Sequence, residues 1–485
     1  MPDPVAGPSE VSAANHPEKV KPHDAADRLG TESVGRLLMR FSLPAITGMV
    51  VNALYNLVDR IYVGRGISEI ALAGLSLVMP LMTITFSFAM LFGAGAAYLI
   101  SIRLGQGRRQ EAENTINHCV FLLIGMGLLI GGLGITFLDN FLSILGAQQG
   151  SEALSYARDY YRVTLYGSVF LQLGFGLSHC TRAQGFPVMS MIGMLLGAIM
   201  NIILDPLFIF VFRLGVKGVA WATVISQFCS CIFILRFSLS KKAIIRLRFS
   251  AFKPSIKVVY EIIRFGFAGF IMNLLMSGVQ LIYNTSMGWY GAASLGAANG
   301  GDIALSGMNI INTISMMIMM PVFGTVQGVQ PILGYNYGAK KYGRVLKTYF
   351  LGVSFTSCIC ITGFILVQVF NIALIRAFVP DGSPQLYTFA PWAMRVVMLL
   401  LPFMGFQAIS ANFFIVTGRP RVSLILNLLR QCIILIPCIL LFGRLWGLHG
   451  VVAAAPVADG FSLMLTGSLI FRELKKLRAQ VAETG

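Results

Sequence analysis

Apolar residues along this chain gather into runs of about 20, each closed by glycine, proline or charge. A hydrocarbon layer about 30 Å thick is crossed by about 20 residues of helix, so every such run predicts one membrane-crossing span. Twelve runs are found, at residues 37–63, 70–102, 117–138, 161–180, 187–212, 219–237, 259–287, 293–333, 346–372, 389–416, 422–442 and 450–471. The second and eighth are longer than a simple crossing and are expected to tilt or to carry interfacial turns. The pattern reads as an all-α membrane protein of twelve transmembrane helices.

Composition points to lipid as the solvent. Of 485 residues, 56% are hydrophobic and 12% charged, whereas about one-quarter of the residues of soluble domains are charged. A net charge of +17 raises nucleic acid as a partner. The basic residues lie in short loops between apolar runs, not on one folded face, so no nucleic acid is expected. With the amino terminus in the cytoplasm, the inside segments hold about 27 Lys and Arg against about 8 outside, which predicts an inner-membrane protein with both termini cytoplasmic. Arg236, Lys241, Lys242, Arg246, Arg248, Lys253 and Lys257 crowd a single loop near mid-chain. The eight cysteines fall inside apolar runs without zinc-ligand spacing and read as small packing residues. The polar opening of about 30 residues shows no secretory leader and is expected to be disordered.

The halves echo each other. GAGAAYLISIRLGQGRRQEA after span 2 answers GVQPILGYNYGAKKYGRV after span 8, QGFPVMSMIGMLL answers TGRPRVSLILNLL, and FRLGVKGVA answers GRLWGLHGVV, all at an offset of about 232 residues. Each half holds an even number of spans, so the copies point the same way and are related by a pseudo-two-fold axis along the membrane normal. The expected organisation is a disordered cytoplasmic tail at 1–35, an amino-terminal six-helix bundle at 36–239, a basic cytoplasmic linker at 240–257, a carboxy-terminal six-helix bundle at 258–472 and a cytoplasmic tail at 473–485.

Four segments carry a resemblance. FSLPAITGMVVNALYNLVDRIYVG (41–64), GAGAAYLISIRLGQG (93–107), RAQGFPVMSMIGMLLGAIMNIILDPLFIF (182–210) and GVQPILGYNYGAKKYGRV (328–345) resemble the multidrug and toxic compound extrusion (MATE) family, in its prokaryotic DinF-like branch. The resemblance implies two six-helix bundles forming a V around a central cavity, alternating access, and export of amphiphilic, often cationic drugs by antiport with H⁺ or Na⁺. No other cofactor is expected, and the protein is expected to act as a monomer in the bilayer on small-molecule substrates. A flippase for lipid-linked saccharides is the alternative of similar fold. It would set cationic residues in the cavity to hold a pyrophosphate, and the basic residues inside spans are few, chiefly Arg395 and Arg430. Enzymatic activity is not expected, because the five histidines are scattered and no nucleophile motif is present.

An ionised carboxylate in a bilayer costs several kcal/mol and calls for a partner, a proton or a function. Asp59 in span 1 and Asp205 in span 5 reach similar depth, and Asn201 precedes Asp205 by one helical turn on the same face. Such a group can exchange a proton or offer hard oxygen ligands to a cation. In the resembling family these positions form the cation site of the amino-terminal lobe, which makes Asp59, Asn201 and Asp205 the coupling candidates. Some relatives add an Asn from span 4. That span has none here, so Gln172 or Ser178 would substitute. A purely structural hydrogen-bonded trio joining spans 1 and 5 is the other reading. Asp302 in span 8 is a candidate for substrate or a second coupling ion, or else caps an irregular turn. Tyr283, which falls near Asp59 when the openings of spans 1 and 7 are aligned, and Gln172 are further candidates for substrate or a second coupling ion. Arg430 and Asp459 fall near mid-membrane and are expected to form a structural ion pair.

Overall fold

The computed structural model describes residues 22–144, 151–248, 252–295, 299–380 and 382–484, which are helical apart from short turns. Among them nine helices are each long and apolar enough to cross a bilayer, and a tenth crossing is the pair Pro384–Val397 and Leu401–Val416, bent by 43°. Glu152–Tyr166 and Ser168–Ala183, joined at Gly167, make a further broken span. The long run Pro420–Ala482 folds back at Gly447, where φ 58° and ψ −137° suit glycine alone. Contact between residues on the two sides of that reversal, Arg430 and Asp459, shows that it divides the run into two antiparallel spans. The total is the expected twelve.

Span 1 is Val34–Gly66, span 2 Glu69–Gly105 and span 3 Arg109–Thr136. Span 4 is the broken helix at Gly167, span 5 is Pro187–Pro206 with a π turn at Leu207–Val211, and span 6 is Gly215–Leu239. In the second half, spans 7, 8 and 9 are Ile256–Ser294, Gly300–Gly338 and Tyr342–Phe378. Span 10 is the bent pair, and spans 11 and 12 flank Gly447. The duplication shows in the backbone: left-handed residues pair as Gly107 with Lys340, Gly185 with Gly418 and Gly215 with Gly447, each pair 232 or 233 residues apart. Packing follows the same symmetry. Span 2 lies along span 7 as span 1 lies along span 8.

Glycine lets these two crossings close to backbone contact. A Cβ added at Gly95 would stand 2.1 Å from the Ile262 carbonyl oxygen, and one at Gly266 would stand 1.8 Å from that of Leu91. The symmetric crossing brings Gly324 against Ile46 and Gly328 against Ser42, each at 2.7 Å. Closer to the termini, Gly105 meets Tyr335 and Gly338 meets Ile102. Side-chain contacts between the bundles, Tyr98 Oη donating to Asn412 Oδ1 at 2.7 Å and Phe88 against Phe270, lie in the same half. Among the described residues the bundles therefore seal against each other between the terminal face and the membrane midplane.

One expectation about the connecting segments needs correction, and two others gain detail. The expected disordered tail is helical over Pro22–Thr31, and Leu29 is fully buried. Polar groups of the second half hold this helix: Asn336 Nδ2 donates to Leu29 O at 2.9 Å, Lys341 Nζ to Gly30 O at 2.9 Å and Arg344 Nη2 to Glu32 O at 2.6 Å. Residues 1–21 lie outside the described residues. The basic linker also carries apolar residues that are buried, Ala243, Ile244, Ile245 and Leu247, the last three within the amino-terminal core. The last span continues as helix to Thr484, so the carboxy-terminal tail is helical over residues 473–484.

Candidate functional site

Span 1 brings Asp59, and span 5 brings Asn201 and Asp205, to the half of the amino-terminal bundle away from the termini. One helical turn separates the two span 5 residues, so Asn201 Nδ2 can donate to Asp205 Oδ1 at 3.3 Å. Directly after Asp205, Pro206 lacks an N–H and the chain widens into the π turn Leu207–Val211. Asp205 is fully buried and Asn201 nearly so. The carboxyl groups of Asp59 and Asp205 adjoin each other within hydrogen-bonding reach.

The site is rich in oxygen and poor in donors. Asp59 Oδ1, Asn201 Oδ1 and Asp205 Oδ2 are all buried without a hydrogen-bond partner. No lysine or arginine comes to ion-pair distance of either carboxylate among the described residues. Arg60 adds positive charge nearby, but its guanidinium turns toward Met79 Sδ, 3.9 Å away on span 2. Two adjoining carboxylates without a fixed counter-charge can share a proton or close on a hard cation, for which two carboxylates and an amide oxygen are suitable ligands. The same three residues also join spans 1 and 5, as a structural trio would.

Tyrosines complete the enclosure. Tyr55, one turn before Asp59, and Tyr160 of span 4 both lie within electrostatic range of the two carboxylates. The i, i+4 spacing that sets Tyr55 on the same face as Asp59 is a signal present in the sequence. Tyr160 precedes the break in its span and carried no comparable signal. Span 4 thus contributes a phenol where an amide was sought.

The other candidates lie elsewhere. Gln172 is buried and donates to Thr85 O at 2.9 Å, which ties span 4 to span 2, and Ser178 pairs with Ser190 at 2.5 Å near Arg182. Neither joins the carboxylates. Tyr283 is buried in the core of the carboxy-terminal bundle with its hydroxyl 4.0 Å from Met308 Sδ. Asp302 is exposed in the first turn of span 8, where the positive end of the helix dipole favours an acid. Arg430 Nε and Asp459 Oδ1 form a salt bridge of 2.6 Å in the second bundle.

Comparison with known proteins places this architecture. The MatE family model matches residues 44–207 and 269–441. The multidrug export protein MepA of Staphylococcus aureus (strain MRSA252) is 26% identical over 455 residues, covering 93% of this chain and 96% of that protein. Among solved structures, a MATE protein in its bent conformation superposes with a TM-score of 0.86 at 23% identity, covering 94% of this chain and 99% of that one. A multidrug resistance MATE family transporter of the MOP superfamily in an outward-facing conformation gives 0.85 at 23% identity, covering 93% and 98%. Matched across both halves, the chain belongs to the MatE family, whose members are membrane transporters and not enzymes.

Proposed function

We propose that the protein exports amphiphilic small molecules, organic cations among them, across a cytoplasmic membrane in exchange for H⁺ or Na⁺ taken up at Asp59, Asn201 and Asp205. The observation that carries this reading is the set of three buried oxygens, one from each residue, without a donor among them. A structural trio would be expected to satisfy its acceptors, since a buried unsatisfied polar group costs about 1–3 kcal/mol. A site that loads and discharges a cation gains from leaving them free. The similarity to a multidrug export protein supports drugs as the cargo. The basic loops share an end with both termini, and the positive-inside rule assigns that end to the cytoplasm. On this assignment the glycine-lined seal closes the cytoplasmic side, and loading from outside precedes reopening toward the cell.

The test is efflux of a fluorescent cationic dye from proteoliposomes under separately imposed pH and Na⁺ gradients. Asp205→Asn is expected to lower gradient-driven efflux about tenfold or more, the factor carried by 1.4 kcal/mol of lost ion binding. Efflux at the wild-type rate from correctly folded Asp205→Asn would remove the site from the mechanism. The gradient that drives the wild type identifies the ion.

A further inference from the structure

The carboxy-terminal bundle contains a cavity of about 180 Å³, lined by Met319, Met398, Met404, Ala455 and the ion pair Arg430–Asp459. Three irregularities meet around it. Span 10 bends by 43° between Val397 and Leu401. Span 11 passes through the π turn Leu429–Ile434, which carries Arg430, and span 12 contains Pro456 between Ala455 and Asp459. Helices depart from regular geometry at a cost, and π turns concentrate at functional sites.

The ion pair is hard to explain by stability. Two charges taken out of water are rarely repaid by their attraction, and apolar residues of the same volume often serve as well. Nor is the pair a device of the duplicated fold. The repeat offset of about 232 residues sets Asp459 opposite Gln227 and Arg430 opposite Ala198, so the amino-terminal bundle holds no charge at either position.

The two partners differ in reach. Asp459 is short, 17% accessible and fixed on span 12, whereas Arg430 is 29% accessible on a long flexible stem and can draw its guanidinium aside. Among the described residues, Nε alone of the guanidinium nitrogens makes a hydrogen bond, to Asp459 Oδ1. Arg430 therefore resembles a tethered cation lying on a fixed carboxylate beside a space lined by methionine. Methionine is soft and conformationally adaptable, which suits apolar guests of varied shape. Size sets the guest: a cavity of about 150 Å³ accepts benzene, so this one admits a single ring or a short alkyl group with its ammonium, but not a polycyclic body.

We propose that this cavity is a second ligand site, in which the ammonium group of an amine-bearing organic cation replaces the Arg430 guanidinium on Asp459 while its ring or alkyl group packs against Met319, Met398 and Met404. Arg430 is then a built-in competitor that keeps the empty site neutral. The site is independent of the coupling residues in the other bundle.

The experiment is equilibrium dialysis of radiolabelled benzylammonium against the purified full-length protein in nanodiscs. Arg430→Gln removes the competitor and leaves the carboxylate, so binding is expected to tighten about tenfold or more, which a purely structural ion pair would not produce. Asp459→Asn is expected to abolish it. Ala455→Leu narrows the cavity with the ion pair intact and is expected to weaken binding about tenfold or more. Asp205→Asn must leave this binding in place, which separates the failure of the coupling site from the failure of this one. Unchanged affinity in Arg430→Gln, or binding that survives Asp459→Asn, overturns the proposal. Binding lost only in Asp205→Asn, or benzoate binding that requires Arg430, overturns it as well. Should Arg430→Gln fail to fold, Ala455→Leu decides: undiminished binding with the cavity narrowed refutes the site.

Discussion

Replacing Gly266 with alanine would insert a methyl group into the tightest crossing between the bundles. The new Cβ would lie 1.8 Å from the Leu91 carbonyl oxygen, 2.7 Å from its carbon and 3.0 Å from its Cα, where ordinary contact begins near 3.4 Å. All three are backbone atoms, so no side-chain rotation relieves the overlap. Spans 2 and 7 must part by well over an ångström. Overpacking of this kind costs about 1–3 kcal/mol. Alanine returns about 1 kcal/mol through its better helix propensity, so the loss wins only if the crossing is as tight as described. Because the cost falls only on the arrangement with this seal closed, the balance shifts toward the arrangement with the terminal ends apart. A bias of 1–3 kcal/mol is a population change of about 5- to 150-fold. Spin labels at Gln106 and Arg264, on the exposed ends of the two helices, report the separation by electron–electron resonance. A longer distance population is expected in Gly266→Ala. An unchanged distance distribution with a raised melting temperature would refute the reasoning, since it would mean that the crossing accommodates a methyl group.

Two further outcomes follow from the connections. Gly447→Ala forces a side chain onto φ 58° and ψ −137°, a strain of about 1–3 kcal/mol, and should lower the melting temperature of the detergent-solubilised protein; an unshifted melting curve would contradict the reversal drawn there. Arg344→Gln removes charged donors that Nη2 supplies to Leu29 O at 3.1 Å and Glu32 O at 2.6 Å, a loss of about 1.5–3 kcal/mol per bond. Trypsin should then cut after Arg28 at least about tenfold faster, while equal rates would show that the helix is held by other contacts.

The crossings were legible because bilayer thickness imposes a single length on every apolar run, and the repeat was legible because two of the three duplicated turns keep their glycines. Span 4 was harder to delimit: its first piece, Glu152–Tyr166, contains Arg158, Asp159 and Arg162 and does not read as apolar. Docking of 243–247 was not legible because Lys241, Lys242 and Arg246 around Ala243, Ile244 and Ile245 mark the segment only as a basic linker. The short apolar stretch was enough to enter the core. At the candidate site, the relation of Asn201 to Asp205 is helical periodicity and could be read directly. The meeting of Asp59 with Asp205 depends on how spans 1 and 5 pack, which depth alone suggested. Gln172 was a plausible amide by residue type, yet its Nε2 faces a backbone carbonyl on span 2. The direction in which a helix turns its side chains is set by neighbours that no linear spacing contains.

The way the mid-chain segment is stitched down limits how the molecule can rock. Ile245 N donates to Gln184 Oε1 at 3.1 Å, Arg248 N to Asn117 Oδ1 at 3.3 Å and, past residues 249–251, Ser255 N to His118 Nε2 at 3.0 Å. The carboxy-terminal bundle therefore begins anchored to the near end of span 3, without the slack of an 18-residue tether. Its swing is that of a door on a short strap, with a pivot beside Ser255, and a tag or cleavage sequence inserted between Ala243 and Leu247 would disturb the frame as well as the strap.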